Sequence, residues 1–156
     1  MQIVYYSLNG TTEKVARQLA GQLDLPLYRI EDATPRKGLF GFIRSGFEAS
    51  TRKSARIRPI DAYQPDAEHV VLLCHVWAGN LSSPMRAFCT QNAGRFAAFS
   101  LVLLHADPQR QFEEIRDEIA LILGAENRVF GSFCNKSVQP EDVRQLAARL
   151  DQTLKQ

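Results

Sequence analysis

The chain has 156 residues, 45% of them apolar and 23% charged, which is the size of one ordinary domain and enough to bury a sizeable core. No uninterrupted apolar run approaches the roughly 20 residues of a membrane span, and the N-terminus reads straight into a strand with no charged lead, so one soluble, cytoplasmic domain over residues 1–156 is expected. The formal net charge of +2 hides a division, because residues 36–58 hold seven basic residues against the single acid Glu48 while the remainder of the chain is acidic.

In chain order, residues 2–6 read as a first strand, and Val15, Ala16, Leu19, Ala20 and Leu23 follow at helical spacing. Residues 27–30 give a second strand. The basic segment comes next, with Leu39, Phe40, Ile43 and Phe47 spaced as a helix laid on the sheet, its arginines outward. Such a segment is either a solvated helix face or an attractor for an anionic partner, such as a nicotinamide phosphate or an acidic protein surface. Nucleic acid and membrane surfaces rank lower as partners, since the rest of the chain supplies no second basic face. Residues 69–74 and 96–104 read as strands, built largely from apolar runs of the kind found in strands covered on both faces. Asp107 before Pro108 predicts the start of a helix carrying Phe112, Ile115, Ile119, Ile122 and Leu123. Residues 129–133 are the fifth strand, and Pro140 before Glu141 and Asp142 opens a last helix through Val143, Leu146, Ala147, Leu150 and Leu154. Cys74, Cys89 and Cys134 form no CxxC pair and lie in apolar stretches, so they read as small core residues rather than disulfide partners or zinc ligands. Strands alternating with helices imply a parallel sheet wrapped on both faces by right-handed crossovers.

Ligands of such sheets collect beyond the carboxyl ends of the strands, near the reversal in strand order. Three junctions therefore matter: Ser7 to Thr12, His75 to Asn80, and His105 to Asp107. In "SLNGTT" three hydroxyls, an amide and one glycine stand directly before a helix. They suit a phosphate held by hydroxyls and first-turn amides, and they equally suit a plain strand-to-helix turn. Neither GxGxxG nor a P-loop lysine is present. At the second junction Trp77 ends a buried strand before Ala78, Gly79 and Asn80; it is either core packing or the aromatic wall of a planar ligand.

Together, "YYSLNGTTEKVA" and "VVLLCHVWAGNLSSPMRAF" resemble the flavodoxin-like family, in which a [ST]-x-[ST]-G-x-[ST] loop holds the phosphate of flavin mononucleotide (FMN) and a PVWAGN-type loop lines the flavin ring. The resemblance spans nearly the whole chain and implies a three-layer α/β/α sandwich with a five-stranded parallel sheet of order 2-1-3-4-5. It implies a phosphate loop of Ser7, Leu8, Asn9, Gly10, Thr11 and Thr12, and a ring loop of His75, Val76, Trp77, Ala78 and Gly79. Asn9 stands where the family usually has Ser or Thr, and its amide can still donate to a phosphate oxygen. His75 stands where proline is common and is either a ring neighbour or a surface substitution. His105, Ala106 and Asp107 occupy the second ring-facing loop without the glycine-rich or Tyr-containing stretch of many relatives; there the backbone would meet the pyrimidine edge. Asp107 is first a helix cap. The implied function is non-covalent FMN binding and electron transfer with a redox partner protein or a nicotinamide donor, as a monomer or homodimer. The alternatives are an FMN-dependent quinone-type reductase and a module that keeps the fold with weak or no flavin binding. No nucleophile, base or metal constellation is visible, and no catalytic residue is assigned.

Overall fold

The computed structural model describes residues 1–34, 41, 43, 47, 48, 50, 51, 53–61, 63 and 68–155. Along the chain run β1 (Gln2–Tyr5), α1 (Thr11–Leu23), β2 (Leu27–Arg29), β3 (His69–Trp77), β4 (Asn80–Leu81), α2 (Ser83–Gln91), β5 (Ala98–His105), α3 (Glu113–Leu123), β6 (Glu126–Cys134) and α4 (Pro140–Leu154). The sheet is ordered β2-β1-β3-β5-β6, with every pair on that path parallel. With β4 set aside this is the expected order 2-1-3-4-5. β4 was not foreseen: it folds back antiparallel on the end of β3, pairing Val76 with Leu81 and Trp77 with Asn80.

The apolar runs divide their side chains between two cores, as alternation along a strand requires. Ile3, Tyr5, Val71, Leu73, Val102 and Leu104 pack with Val15, Ala16 and Leu19 of α1 and Val143, Leu146 and Leu150 of α4. Val4, Leu72, Cys74, Leu101 and Leu103 pack on the other side with Met85 and Phe88 of α2 and Ile115 and Ile119 of α3. The result is the three-layer sandwich. On the second side the buried Arg86 of α2 is ion-paired with Glu118 of α3, which compensates a charge otherwise costly to bury. Burial pushes the Cys74 thiol up to about 12 and that of Cys89 higher still, so both are inert core residues. Cys134 departs from the expectation, standing only partly buried at the end of β6.

The helix starts differ in how well they were read. Pro140 is the first residue of α4, and Gln139 and Asp142 form a capping box there, with the Gln139 N–H donating to the Asp142 carboxylate at 2.7 Å. Asp107 does not cap a helix. Its carboxylate accepts the Gln109 N–H at 2.9 Å in a local turn, and α3 begins only after Phe112, itself left-handed at φ 59°. The side-chain turn wins there because aspartate satisfies the backbone two residues on. Helix α2 was not named from the sequence; Ser82 precedes it and Pro84 lies in its first turn. In the basic segment the described positions 41, 43, 47, 48 and 50 are helical, but Ile43 and Phe47 are exposed while Glu48 is buried and accepts the Ser83 hydroxyl at 2.8 Å. The apolar stripe drawn from the sequence is thus not the inward face at those two positions; Leu39, Phe40 and Arg36, Lys37, Arg44 and Arg52 lie outside the described residues. No helix among the described residues is long and apolar enough to cross a membrane.

Candidate functional site

A cavity of about 430 Å³ opens at the carboxyl end of the sheet, where β1 and β3 lead chain in opposite directions from the reversal of strand order. Its volume falls in the range of small-molecule sites. One end is lined by Ser7, Leu8, Asn9, Thr11 and Thr12 and the other by His75, Val76, Trp77 and Ala78, with Ala106 and Asn135 closing it. Two segments more than sixty residues apart in sequence therefore face one space.

The first end is built by β1 running directly into α1. Ser7 is buried and its hydroxyl accepts the Gly10 N–H at 3.1 Å, which folds the loop back on itself. Gly10 is the N-cap of α1 at φ 83°, a conformation glycine adopts without penalty, and a Cβ built there meets nothing within 4 Å. With no side chain to cap it, the first turn of α1 presents its free amides and positive dipole end beside the Thr11 and Thr12 hydroxyls. Glu13 would oppose an anion there, but it is turned into an ion pair with Arg17 at 2.8 Å and Arg29 at 3.3 Å. The bonded Arg17 holds the Glu13 carboxyl below the usual range. Arg29 also donates to the Ser7 carbonyl at 3.5 Å, tying β2 to the loop.

The second end is firm and aromatic. Trp77 is 9% exposed and meets Tyr6 edge to face, with centroids 5.5 Å apart. It is both core packing and cavity wall, so the two sequence readings were not exclusive. Ala78 at φ 46° and Gly79 at φ 74° make the tight turn into β4, and the Asn80 amide donates to the Ala78 carbonyl at 2.9 Å. A left-handed alanine costs about 1 kcal/mol, the kind of local strain that clusters at ligand sites.

His75, the departure from the proline pattern, lines the cavity. Its Nδ1–H donates to the Val76 carbonyl at 2.7 Å, and Nε2 lies 2.6 Å from the Asn135 side-chain nitrogen. Since a carbonyl only accepts, Nδ1 carries the proton; in the neutral ring Nε2 then accepts from Asn135. Burial lowers the His75 pKa; the Val76 bond opposes that effect and nearby His105 adds to it.

Not every expected residue reaches the space. Ser7, Leu8, Asn9, Thr11, Thr12, His75, Val76, Trp77, Ala78 and Ala106 line the cavity; Gly10, Gly79, His105 and Asp107 do not. The His105 carbonyl already accepts the Asn135 N–H at 2.8 Å, and its ring, 2% exposed, turns to the other face of the sheet against Phe112. Asn135, just beyond the fifth parallel strand, was missed. The rule that led to three strand ends, applied also to the fifth, points to it. Among the described residues no group of three or more His, Cys, Asp or Glu is placed to hold a metal.

No protein-family model matches the sequence, and no curated protein matches it. The structure is similar to that of a flavoprotein from Lactobacillus acidophilus NCFM in complex with FMN, at a TM-score of 0.70 and 14% identity over 87% of this chain and 93% of that one. It is also similar to a flavodoxin from Streptococcus pneumoniae TIGR4, with a TM-score of 0.56 and 16% identity over 96% of this chain and 94% of that one. The two-electron reduced flavodoxin of Megasphaera elsdenii gives a TM-score of 0.53 at 14% identity over 95% and 98%. At such identities the likeness is one of fold, and the fold is flavodoxin-like.

Proposed function

From a flavodoxin-like fold with this cavity at its carboxyl edge, we propose that the chain is a single domain that binds FMN non-covalently and transfers electrons. The observation that carries this reading is one cavity with an uncapped helix start and four polar side chains at one end and a tryptophan wall at the other. That donor set suits a phosphate dianion, and the wall suits a planar ring.

In this reading Ser7 shapes the loop, and the first-turn amides of α1 with the Asn9, Thr11 and Thr12 side chains hold the phosphate. The Glu13–Arg17–Arg29 network keeps the Glu13 charge from repelling it. Trp77, braced by Tyr6, presents one face of the ring pocket, and Ala78 and Ala106 are small enough for close backbone approach. The bound flavin supplies the electron chemistry; the protein supplies seat, orientation and electrostatics. The FMN complex of the Lactobacillus relative supports this cofactor. A redox partner protein or nicotinamide donor would bring the electrons, in the cytoplasm. The decisive measurement is titration of the apoprotein with FMN, read by flavin absorbance and quenching of fluorescence. About one flavin per chain is expected; no binding at high micromolar FMN would leave a flavodoxin fold without this cofactor.

A further inference from the structure

His75 and Asn135 form a unit that the phosphate-and-wall reading leaves unused. Both line the cavity, one at the end of β3 and the other beyond β6, and their side chains meet at 2.6 Å. The Asn135 backbone is fixed by its N–H bond to the His105 carbonyl, so the free motion of this residue is rotation of its amide. Its Oδ1 is buried and has no partner among the described residues. Turning the amide brings that oxygen to face Nε2. The pair is then satisfiable in two charge states. With neutral His75, Asn135 donates to Nε2; with protonated His75, Nε2–H donates to Asn135 Oδ1; in both, Nδ1–H keeps the Val76 carbonyl.

We propose that His75 is the proton acceptor of this cavity, taking one proton from solvent when the bound cofactor is reduced, and that Asn135 is the positioning residue that serves both of its states. The inference rests on the flavin reading. Two electrons and one proton, supplied as a hydride by a nicotinamide or as electrons from dithionite plus a solvent proton, leave the flavin with one added negative charge. A second solvent proton goes to His75 Nε2, which breaks the Asn135 N–H bond and forms the bond to Oδ1, so the cavity returns to its former charge. A negative charge arriving beside a half-buried imidazole favours its charged form, against the burial that keeps it neutral beforehand.

The surroundings leave His75 as the responsive group. From β5 comes His105, which opposes its protonation; Cys134 of β6, in register with His105, lies with it on the other face of the sheet. From β1 comes Tyr5, whose phenol burial holds above its ordinary value. α1 presents Val15, Ala16 and Leu19 to this side of the sheet, with Glu13 engaged by Arg17 and Arg29. α4 presents Val143, Leu146 and Ala147 and keeps Glu141 paired with Arg144.

The test begins with the FMN titration, which alone decides the flavin reading. On the holoprotein, imidazole nitrogen NMR through a pH series is then compared for the oxidised and dithionite-reduced forms. The expected result is an Nδ1–H neutral ring when oxidised and a proton affinity about tenfold or more higher when reduced. Proton uptake on reduction in weak buffer gives a second readout: His75→Gln should take up about one proton fewer per FMN near neutral pH. Asn135→Asp, which presents an acceptor permanently, should protonate His75 before reduction and lose the same uptake; it carries the test if the His75 variant fails to fold. FMN bound with His75 titrating alike in both redox states, or with uptake unchanged in both variants, overturns the proposal and leaves the flavin reading standing. Absence of FMN binding removes both.

Discussion

The β1–α1 loop and the β3–β4 loop face each other across one cavity and are built in opposite ways. The first keeps its bonding capacity in reserve: Gly10 offers no cap, the start of α1 is open, and the Glu13 carboxylate is held by two arginines. The second turns its bonds inward, through the Val76–Leu81 and Trp77–Asn80 pairs, the Asn80 amide on the Ala78 carbonyl and the His75 ring on the Val76 carbonyl. A loop with unspent donors attracts charge, and a loop with satisfied donors offers shape. In the proposed reading the pair would therefore favour a ligand with an anionic tail and a flat head over one that has only one of these.

The sharpest way to break this contrast is Gly10→Asp. The new carboxylate would cap the first turn itself and sit where the phosphate is expected, and like charges about 4 Å apart repel by about 4 kcal/mol at an effective dielectric of 20. FMN affinity should fall by at least about a hundredfold, while the left-handed conformation at φ 83° costs about 1 kcal/mol of stability. Fluorescence titration and a urea midpoint read the two effects separately, and unchanged affinity would mean that any phosphate sits elsewhere.

A milder probe acts on the wall. Trp77→Phe keeps an aromatic ring against Tyr6 but shortens the face presented to the cavity, so affinity for FMN and for riboflavin should fall together by about tenfold, about 1.4 kcal/mol. A loss confined to FMN would contradict the division of labour between the loops.

A third probe lies at the far end of β3, away from both loops, and should leave flavin affinity untouched. Burial lowers the His69 pKa from 6.5 to about 4, and its Nε2 meets the Ser100 hydroxyl at 2.8 Å. The folded state refuses a proton that the unfolded chain accepts, so this contribution is complete above pH 6.5 and is lost as pH falls from there toward 4. Urea midpoints at pH 7 and 5 should converge in His69→Gln, and an equal acid loss in the variant would place the acid sensitivity elsewhere.

The doubly covered strands were legible because unbroken apolar runs have one good explanation, and the polar start of β6 at Glu126, Asn127 and Arg128 was not, because an edge strand need not be apolar. The phosphate loop and Trp77 were legible through their placement at strand ends. β4 escaped because two residues carry no periodicity and because Ala78, Gly79 and Asn80 had been read for chemistry instead of for the turn they make. Asn135 escaped for a different reason: a lone asparagine after a strand is ordinary turn chemistry, and only the fold brings it to His75, 60 residues away.

The fold-back of β4 has a mechanical consequence. Because Trp77 is paired through its own hairpin to the end of the central strand, the wall moves only together with that hairpin and the strand end. Beside that hairpin runs the β5–α3 crossing, whose Arg110 guanidinium lies 4.4 Å from the Phe112 ring and 3.5 Å from a Cβ built at Gly79, with the Arg110–Glu114 pair exposed to solvent and salt. Raised ionic strength should therefore loosen this crossing against the hairpin while leaving the Trp77 wall in place.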